Sequence, residues 1–387
     1  MNVTRVTEAE FASMREAWND LLERSGGKGP MLTWEWAFTW WEAFCHRDGG
    51  RDLYLLAAHL PDGRLGALAP LVKRTVRCHG CRVVTLEFIG TGEAEQDETC
   101  SEYLDWIIDP ALAPAQMDAL AQEILGDEGW DEIVLRDVRA DRPAALDRFV
   151  ASARAAGVDV ARFAEARCPF IELPATWEAY LETLSRNARR LVRYKRKQLH
   201  AAGRVEFRMT DAAPEVMRAL DEFMALHQAR WSSQQKAGCF ASEAFGAFFR
   251  SVTERLSLRR DVRIATLTAD GEPVALYHLL RRGACLYYYN SGMQEGKWAE
   301  YSPGSVCMGY IIETSICEGL REFHFFKAGA GSYKYHWTDK AVPVVSLRLS
   351  RRGGKRILLH CADAALAFAR AVRARLQRKA RRAGEGE

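Results

Sequence analysis

The stretch CLYYYNSGMQEGKWAEYSPGSVCMGYIIETSICEGLREFHFFKAGAGSYKYHW, residues 285–337, carries the plan of the fold. Leu286 to Asn290 is apolar and aromatic, a composition that suits a buried strand, and Ser291-Gly292 is where that strand is expected to break. A polar loop follows, and Ser302-Pro303-Gly304-Ser305 opens a helix. Ser302 is a suitable N-cap, and Pro303 at the first helical position gives up an N–H that would be unpaired there anyway. Val306, Met308, Tyr310, Ile311, Ile312 and Ile316 make the helix apolar on more than one face, so it is expected inside the molecule.

Glu318-Gly319 ends that helix with a residue able to take the left-handed conformation, and Glu322 to Phe326 returns as a second strand. A crossover of this length joins neighbouring parallel strands. It places the helix start, Ser302 to Ser305, near the carboxyl end of the first strand. Unpaired N–H groups and the positive end of a helix dipole make such a start a seat for a phosphate or pyrophosphate, with Gly304 allowing close approach. The same tetrapeptide also begins many helices that bind nothing, so the motif alone does not decide.

Composition narrows the field. The chain has 387 residues, 48% hydrophobic and 27% charged, with a formal net charge of +3. That is a soluble globular profile with room for two domains. No window is a long uncharged apolar run, and the start MNVTRVTEAEF lacks a signal peptide's apolar segment; a cytoplasmic location is expected. The 10 cysteines are scattered, and Cys78-His79-Gly80-Cys81 is the one close pair, so no metal is expected. Charge placement says more than net charge. Ser185 to Gly203 reads as a helix carrying Arg186, Arg189, Arg190, Arg193, Lys195, Arg196 and Lys197 with no carboxylate, over a narrow apolar stripe of Leu184, Ala188, Leu191, Val192 and Leu199. An unrelieved positive face points to an anionic ligand or partner. A second basic run, Arg370 to Arg382, lies in a tail helix expected over 351–387.

Ahead of these elements, Val6 to Glu23 reads as one amphipathic helix and Trp34 to Phe44, capped by Thr33, as another. The density of Trp34, Trp36, Trp40 and Trp41 fits a core stripe better than a groove floor. Strands are expected at 53–60, 65–73, 82–89 and 103–108, then at 130–137 and 158–166 around two helices, closing an α+β unit. On the strand at 103–108, alternation would put Tyr103 and Asp105 on one face beside the acidic loop 93–102. Asp105 then reads either as a general base or as a strand-end carboxylate facing water. The second half runs helix, basic helix, strand, the helix Ala213 to Trp231, a further helix, a hairpin turning at Asp270-Gly271, and the crossover unit.

The order of these elements resembles the FemAB-like branch of the GNAT acyltransferase superfamily, in particular its CelD-type acetyltransferase-like proteins. The likeness rests on Thr33-Trp34-Glu35-Trp36 with Trp40-Trp41, Tyr103-Leu104-Asp105, the basic helix, His227 to Trp231, Tyr301-Ser302-Pro303-Gly304 and Lys327 to Trp337, across residues 5–350. The resemblance implies an α+β fold of two tandem GNAT-like domains, at 1–166 and 167–350, with mixed central sheets flanked by helices. It implies transfer of an acyl group from acetyl-CoA or another acyl-CoA to an amine or hydroxyl of a sugar, cell-envelope or polysaccharide precursor, free or lipid-linked. In the FemAB branch proper the donor is aminoacyl-tRNA, which the basic helix would meet; a non-catalytic module for anionic polymers is the third reading. The donor's phosphates would lie on Ser302, Pro303, Gly304 and Ser305. Proton removal falls to Asp105, His227 or Tyr289, with a backbone N–H near a bulge at Tyr289 to Ser291 polarising the carbonyl. Tyr103, Arg230, Trp231, Lys327, Tyr333 and Lys334 are expected around the acceptor or the donor's anionic groups.

Overall fold

The computed structural model describes residues 3–27, 29–78, 81–141, 144–329 and 331–351. The expected tail helix and the Cys78-His79-Gly80-Cys81 turn therefore lie wholly or partly outside the described residues.

The first half is built on aromatic burial. Strand β1 (Val3–Arg5) leads to α1 (Glu8–Ser13), which Thr7 and Glu10 close with a reciprocal capping box. The single helix expected over 6–23 is two, because α2 (Arg15–Arg24) starts afresh after Met14. The Trp34 indole N–H donates to the Phe11 carbonyl at 2.8 Å and so takes the acceptor that the next helical N–H would use. Helix α3 (Trp34–Phe44) is capped by Thr33, and Trp36 and Trp40 are fully buried: the tryptophans are core. Strands β2 (Arg51–His59), β3 (Leu65–Cys78) and β4 (Cys81–Phe88) form an antiparallel run.

The strand expected over 103–108 shrinks to β5 (Ile107–Ile108), because Tyr103 takes φ 60°, which no strand residue can adopt. Helix α4 (Pro114–Gly126), β6 (Glu132–Arg139) and α5 (Ala144–Ala155) follow. Strand β7 (Asp159–Glu172) then runs unbroken across position 166, where the sequence suggested that one unit ends and the next begins.

In the second half, α6 (Trp177–Thr183) and the basic helix α7 (Arg186–Ala202) precede β8 (Val205–Thr210), α8 (Ala213–Ser233) and α9 (Glu243–Ser257). Ser185 caps α7 through the Ala188 amide, as its sequence suggested. Next come β9 (Val262–Ala269), β10 (Glu272–Arg282), β11 (Cys285–Met293), α10 (Pro303–Cys317), β12 (Glu322–His324) and β13 (Ala341–Ser350).

All strands join one mixed sheet, ordered β1-β2-β3-β4-β6-β13-β7-β12-β11-β10-β9-β8, with β5 on β3. The last strand in sequence, β13, sits between β6 and β7, deep in the part built by the first half. Two apolar clusters fill the faces. One runs from α1 to α3 across to Phe245, Phe248 and Phe249 of α9; the other packs α10 on β9, β10 and β11 beneath α6 and α7. The seam between the halves is aromatic, with Trp36 edge-on to both Phe248 and Tyr289.

Candidate functional site

Strands β11 and β12 are parallel, as the crossover required, but they pair for only three residues, Cys285 with Glu322 to Tyr287 with His324. Beyond that point β12 ends, and the Phe325 amide turns to the Pro169 carbonyl. Strand β11 runs on to Met293 with no strand partner on that side among the described residues. A bulge interrupts its other edge: Tyr288 faces Leu279 and Asn290 faces His278, leaving Tyr289 as the extra residue. The sheet therefore opens into a crevice that the start of α10 closes at one end. The resulting cleft has a volume of about 1140 Å³, with walls from α7, α8, β11, the start of α10 and residues 333–339.

The start of α10 differs in detail from the expected open crown of amides. Ser302 occupies the N-cap position, but at φ 53° and without capping the helix through its side chain. Its carbonyl accepts both the Ser305 and Val306 amides, at 2.9 and 3.3 Å, and its own amide donates to Ala299. Pro303 has no N–H. The donor left in this turn is the Gly304 amide, which has no partner among the described residues. Gly304 is also tightly packed. A Cβ there would fall 2.5 Å from the Met293 side chain, and the Gly304 carbonyl accepts the Tyr277 hydroxyl at 3.0 Å.

A cation completes the turn. Lys195, on the inner stripe of α7, donates to Ser305 Oγ at 3.2 Å, and burial lowers its pKa. Gly304 N–H, the helix dipole and Lys195 converge on one corner of the cleft, a combination that suits a phosphate. At the cleft mouth Arg230 pairs with Glu295 at 3.4 Å and reaches Met293 Sδ, also at 3.4 Å. Along β11, Tyr333 donates to the Tyr288 hydroxyl at 3.1 Å, which lies 2.8 Å from Ser291 Oγ. This chain of hydroxyls runs along the open edge of the strand.

His227 also lines the cleft and is 4% exposed. The Trp231 indole N–H donates to His227 Nε2 at 3.0 Å. An indole only donates, so Nε2 is the unprotonated nitrogen. Burial, with Arg230 nearby, pulls the imidazole down to about 4, and it is neutral at neutral pH. Its basic nitrogen is occupied, which makes it a brace for Trp231 rather than a proton acceptor.

Five expected site residues lie elsewhere. Tyr289 points to the opposite face of the sheet, where its hydroxyl donates to the Thr99 carbonyl at 2.8 Å and its ring stacks on Phe249. The strand's alternation gives the cleft to Tyr288 instead. Lys327 pairs with Asp137 at 2.7 Å, and the Lys334 ammonium is spent on the Phe325 and Lys327 carbonyls at 2.5 and 2.7 Å. Tyr103 and Asp105 line a separate cavity in the first half. The residues brought together are Ser302, Pro303, Gly304, Ser305, His227, Arg230, Trp231 and Tyr333. Lys195 and Tyr288 were not singled out from the sequence. Lys195 fills the gap in the α7 stripe between Val192 and Leu199, which was the readable signal.

The site is thus a parallel pair that splays around a bulged strand, with a helix start and a lysine at the head of the gap. Residues 186–336 match the family described as Acetyltransferase (GNAT) domain. Among solved structures, FemX is similar at 12% identity over 90% of this chain and 97% of that one, with a TM-score of 0.54. The C-terminal domain of a putative lysylphosphatidylglycerol synthetase from Agrobacterium fabrum matches at 12% identity, 94% and 96% coverage and a TM-score of 0.52. A conserved protein of unknown function from Bacteroides thetaiotaomicron matches at 10%, 91% and 100%, and 0.51. At such identities the likeness is one of fold. No curated protein matches the chain in sequence.

Proposed function

We propose that the protein transfers an acyl group, acetyl in the simplest case, from acyl-CoA to an amine or hydroxyl of a sugar or cell-envelope precursor. The observation that carries this reading is the meeting of the splayed β11–β12 gap with the Gly304 amide and Lys195. The donor's phosphates would rest on that corner, and its pantetheine arm would lie along the open edge of β11, whose backbone N–H groups can bind the thioester carbonyl. Attack by the acceptor would push negative charge onto that oxygen. Collapse of the tetrahedral adduct would break the C–S bond and release thiolate, for which the Tyr288 hydroxyl, backed by Tyr333, is the placed proton source, and Tyr288 would regain its proton from the newly acylated nitrogen or oxygen. Arg230 and Trp231 stand where the acceptor would enter.

Lys195→Ala is expected to weaken acetyl-CoA binding about tenfold, the usual scale for a charge-assisted hydrogen bond. Calorimetric titration measures it. No acetyl-CoA binding by the unaltered protein would sink the reading.

The second reading, an aminoacyl-tRNA donor, is favoured by one observation: Arg186, Arg190, Arg193 and Lys197 are exposed on the α7 surface beside the same cleft. Under it, tRNA binding falls steeply with salt and acetyl-CoA is ignored.

A further inference from the structure

A second cavity, of about 320 Å³, lies in the first half of the chain between α2, the loop that precedes β5 and the end of β6. It shares no lining residue with the cleft. Its volume falls at the small end of ligand sites, which run from about 300 to 1,000 Å³. The walls are mostly apolar, with Leu22, Leu32, Leu104, Leu112 and Met117 among them.

Three polar groups interrupt that lining. Trp106 is 7% exposed, and its Nε1 has no acceptor among the described residues. Arg139 clasps Asp141 through Nε and Nη2 at 3.0 and 2.7 Å, while its buried Nη1 has no partner among the described residues. The Asp105 carboxylate accepts the Trp106 backbone N–H at 2.8 Å and makes no salt bridge among the described residues. The remaining polar groups facing the cavity are engaged. Asp109 accepts from Arg24 at 2.7 Å and from the Ala111 amide at 2.8 Å, and the Tyr103 hydroxyl lies 3.3 Å from His324 Nδ1. Folding seldom leaves two N–H donors without acceptors beside a carboxylate without a counter-charge around one small space, because each is costly to strip of water.

We propose that this cavity is a second binding site, for a small molecule that carries an amine and a carboxylate on a short apolar body. Asp105 takes the amine, Arg139 Nη1 and the Trp106 indole N–H take the carboxylate, and the leucine-lined wall takes the body. Nothing in this depends on the acyl donor or on the cleft. Burial pushes the Asp105 carboxyl up to about 7, so an ammonium group binds best once that proton has left.

Leucine is the probe, with 3-methylbutylamine and 4-methylpentanoate as versions lacking one charge each, titrated calorimetrically into the full-length protein at about pH 8. Leucine should bind at least about tenfold more tightly than either, and Asp105→Asn and Arg139→Gln should each lower its affinity by about that factor. Between about pH 6 and pH 8 leucine affinity should rise for the unaltered protein and stay flat for Asp105→Asn. Should either substitution fail to fold, the comparison of the three probes on the unaltered chain still decides. Absence of leucine binding, equal binding of the amine or the acid alone, or leucine affinity indifferent to both substitutions would overturn the proposal.

Discussion

Asp105, a candidate general base in the sequence, lies away from the cleft. Strand alternation would have put it with Tyr103, opposite Leu104 and Trp106; instead all four line a cavity that shares no residue with the α10 turn. Its environment has a thermodynamic signature. The folded-state pKa of about 7 lies above the ordinary 3.8, so between those values the native chain binds more protons than the unfolded one. Stability is therefore expected to fall as pH rises from about 4 to about 7, and Asp105→Asn should remove that slope. Denaturant midpoints at about pH 4.5 and about pH 8 test this, with the variant level with the parent at the first and above it at the second. A variant less stable than the parent at both values would mean that Asp105 has an unseen cationic partner. His227 illustrates the reverse case. A histidine on a helix is more often a packed or surface residue than a base, and the indole of Trp231, one turn on, occupies the basic nitrogen of this one.

At the scale of elements the chain was far more legible. Helix starts at Thr33, Thr176, Ser185 and Ser242 all carry the side-chain caps their sequences advertise, and the β11–α10–β12 crossover is parallel as its length demanded. What sequence periodicity could not supply is which face of β11 meets the cleft. Three consecutive tyrosines give no alternation to read, and the bulge at Tyr289 adds a change of phase. Nor could it show how far the amides of the α10 turn are spent on the Ser302 carbonyl, since that depends on one residue adopting a left-handed backbone. A test follows for that turn. Gly304→Ala should leave the fold nearly intact, because Met293 is flexible enough to yield and alanine favours the helix by up to about 1 kcal/mol. The displaced Met293 and the new methyl would then crowd the Gly304 amide, and donor affinity should drop about tenfold while the melting temperature barely moves. Unchanged affinity would place the phosphates elsewhere.

On the scale of the whole molecule, element order together with several short motifs suggested a GNAT-like chain, and residues 186–336 match the GNAT domain family. Strand partners distant in sequence were invisible. Nothing in Ala341 to Ser350 announces that it will lie between β6 and β7, because pairing over such separations is decided by what surface remains open once the nearer strands have folded. The consequence is cooperative. A fragment of residues 1–166 loses β13 from its sheet and Phe248 from beside Trp36, and it should show no sharp thermal transition. The full chain should unfold once, with far-ultraviolet circular dichroism and tryptophan fluorescence changing together. Two separated transitions would count against this coupling.

Because β7 belongs to the sheet on either side of position 166, the two halves are joined there by one continuous, hydrogen-bonded strand. The parts of the cleft wall that rise off the strands are α7, with its arginines, and the 294–302 segment leading into α10. Under the proposed transfer, a cross-link between α7 and that segment is expected to stall turnover while the sheet beneath stays unchanged.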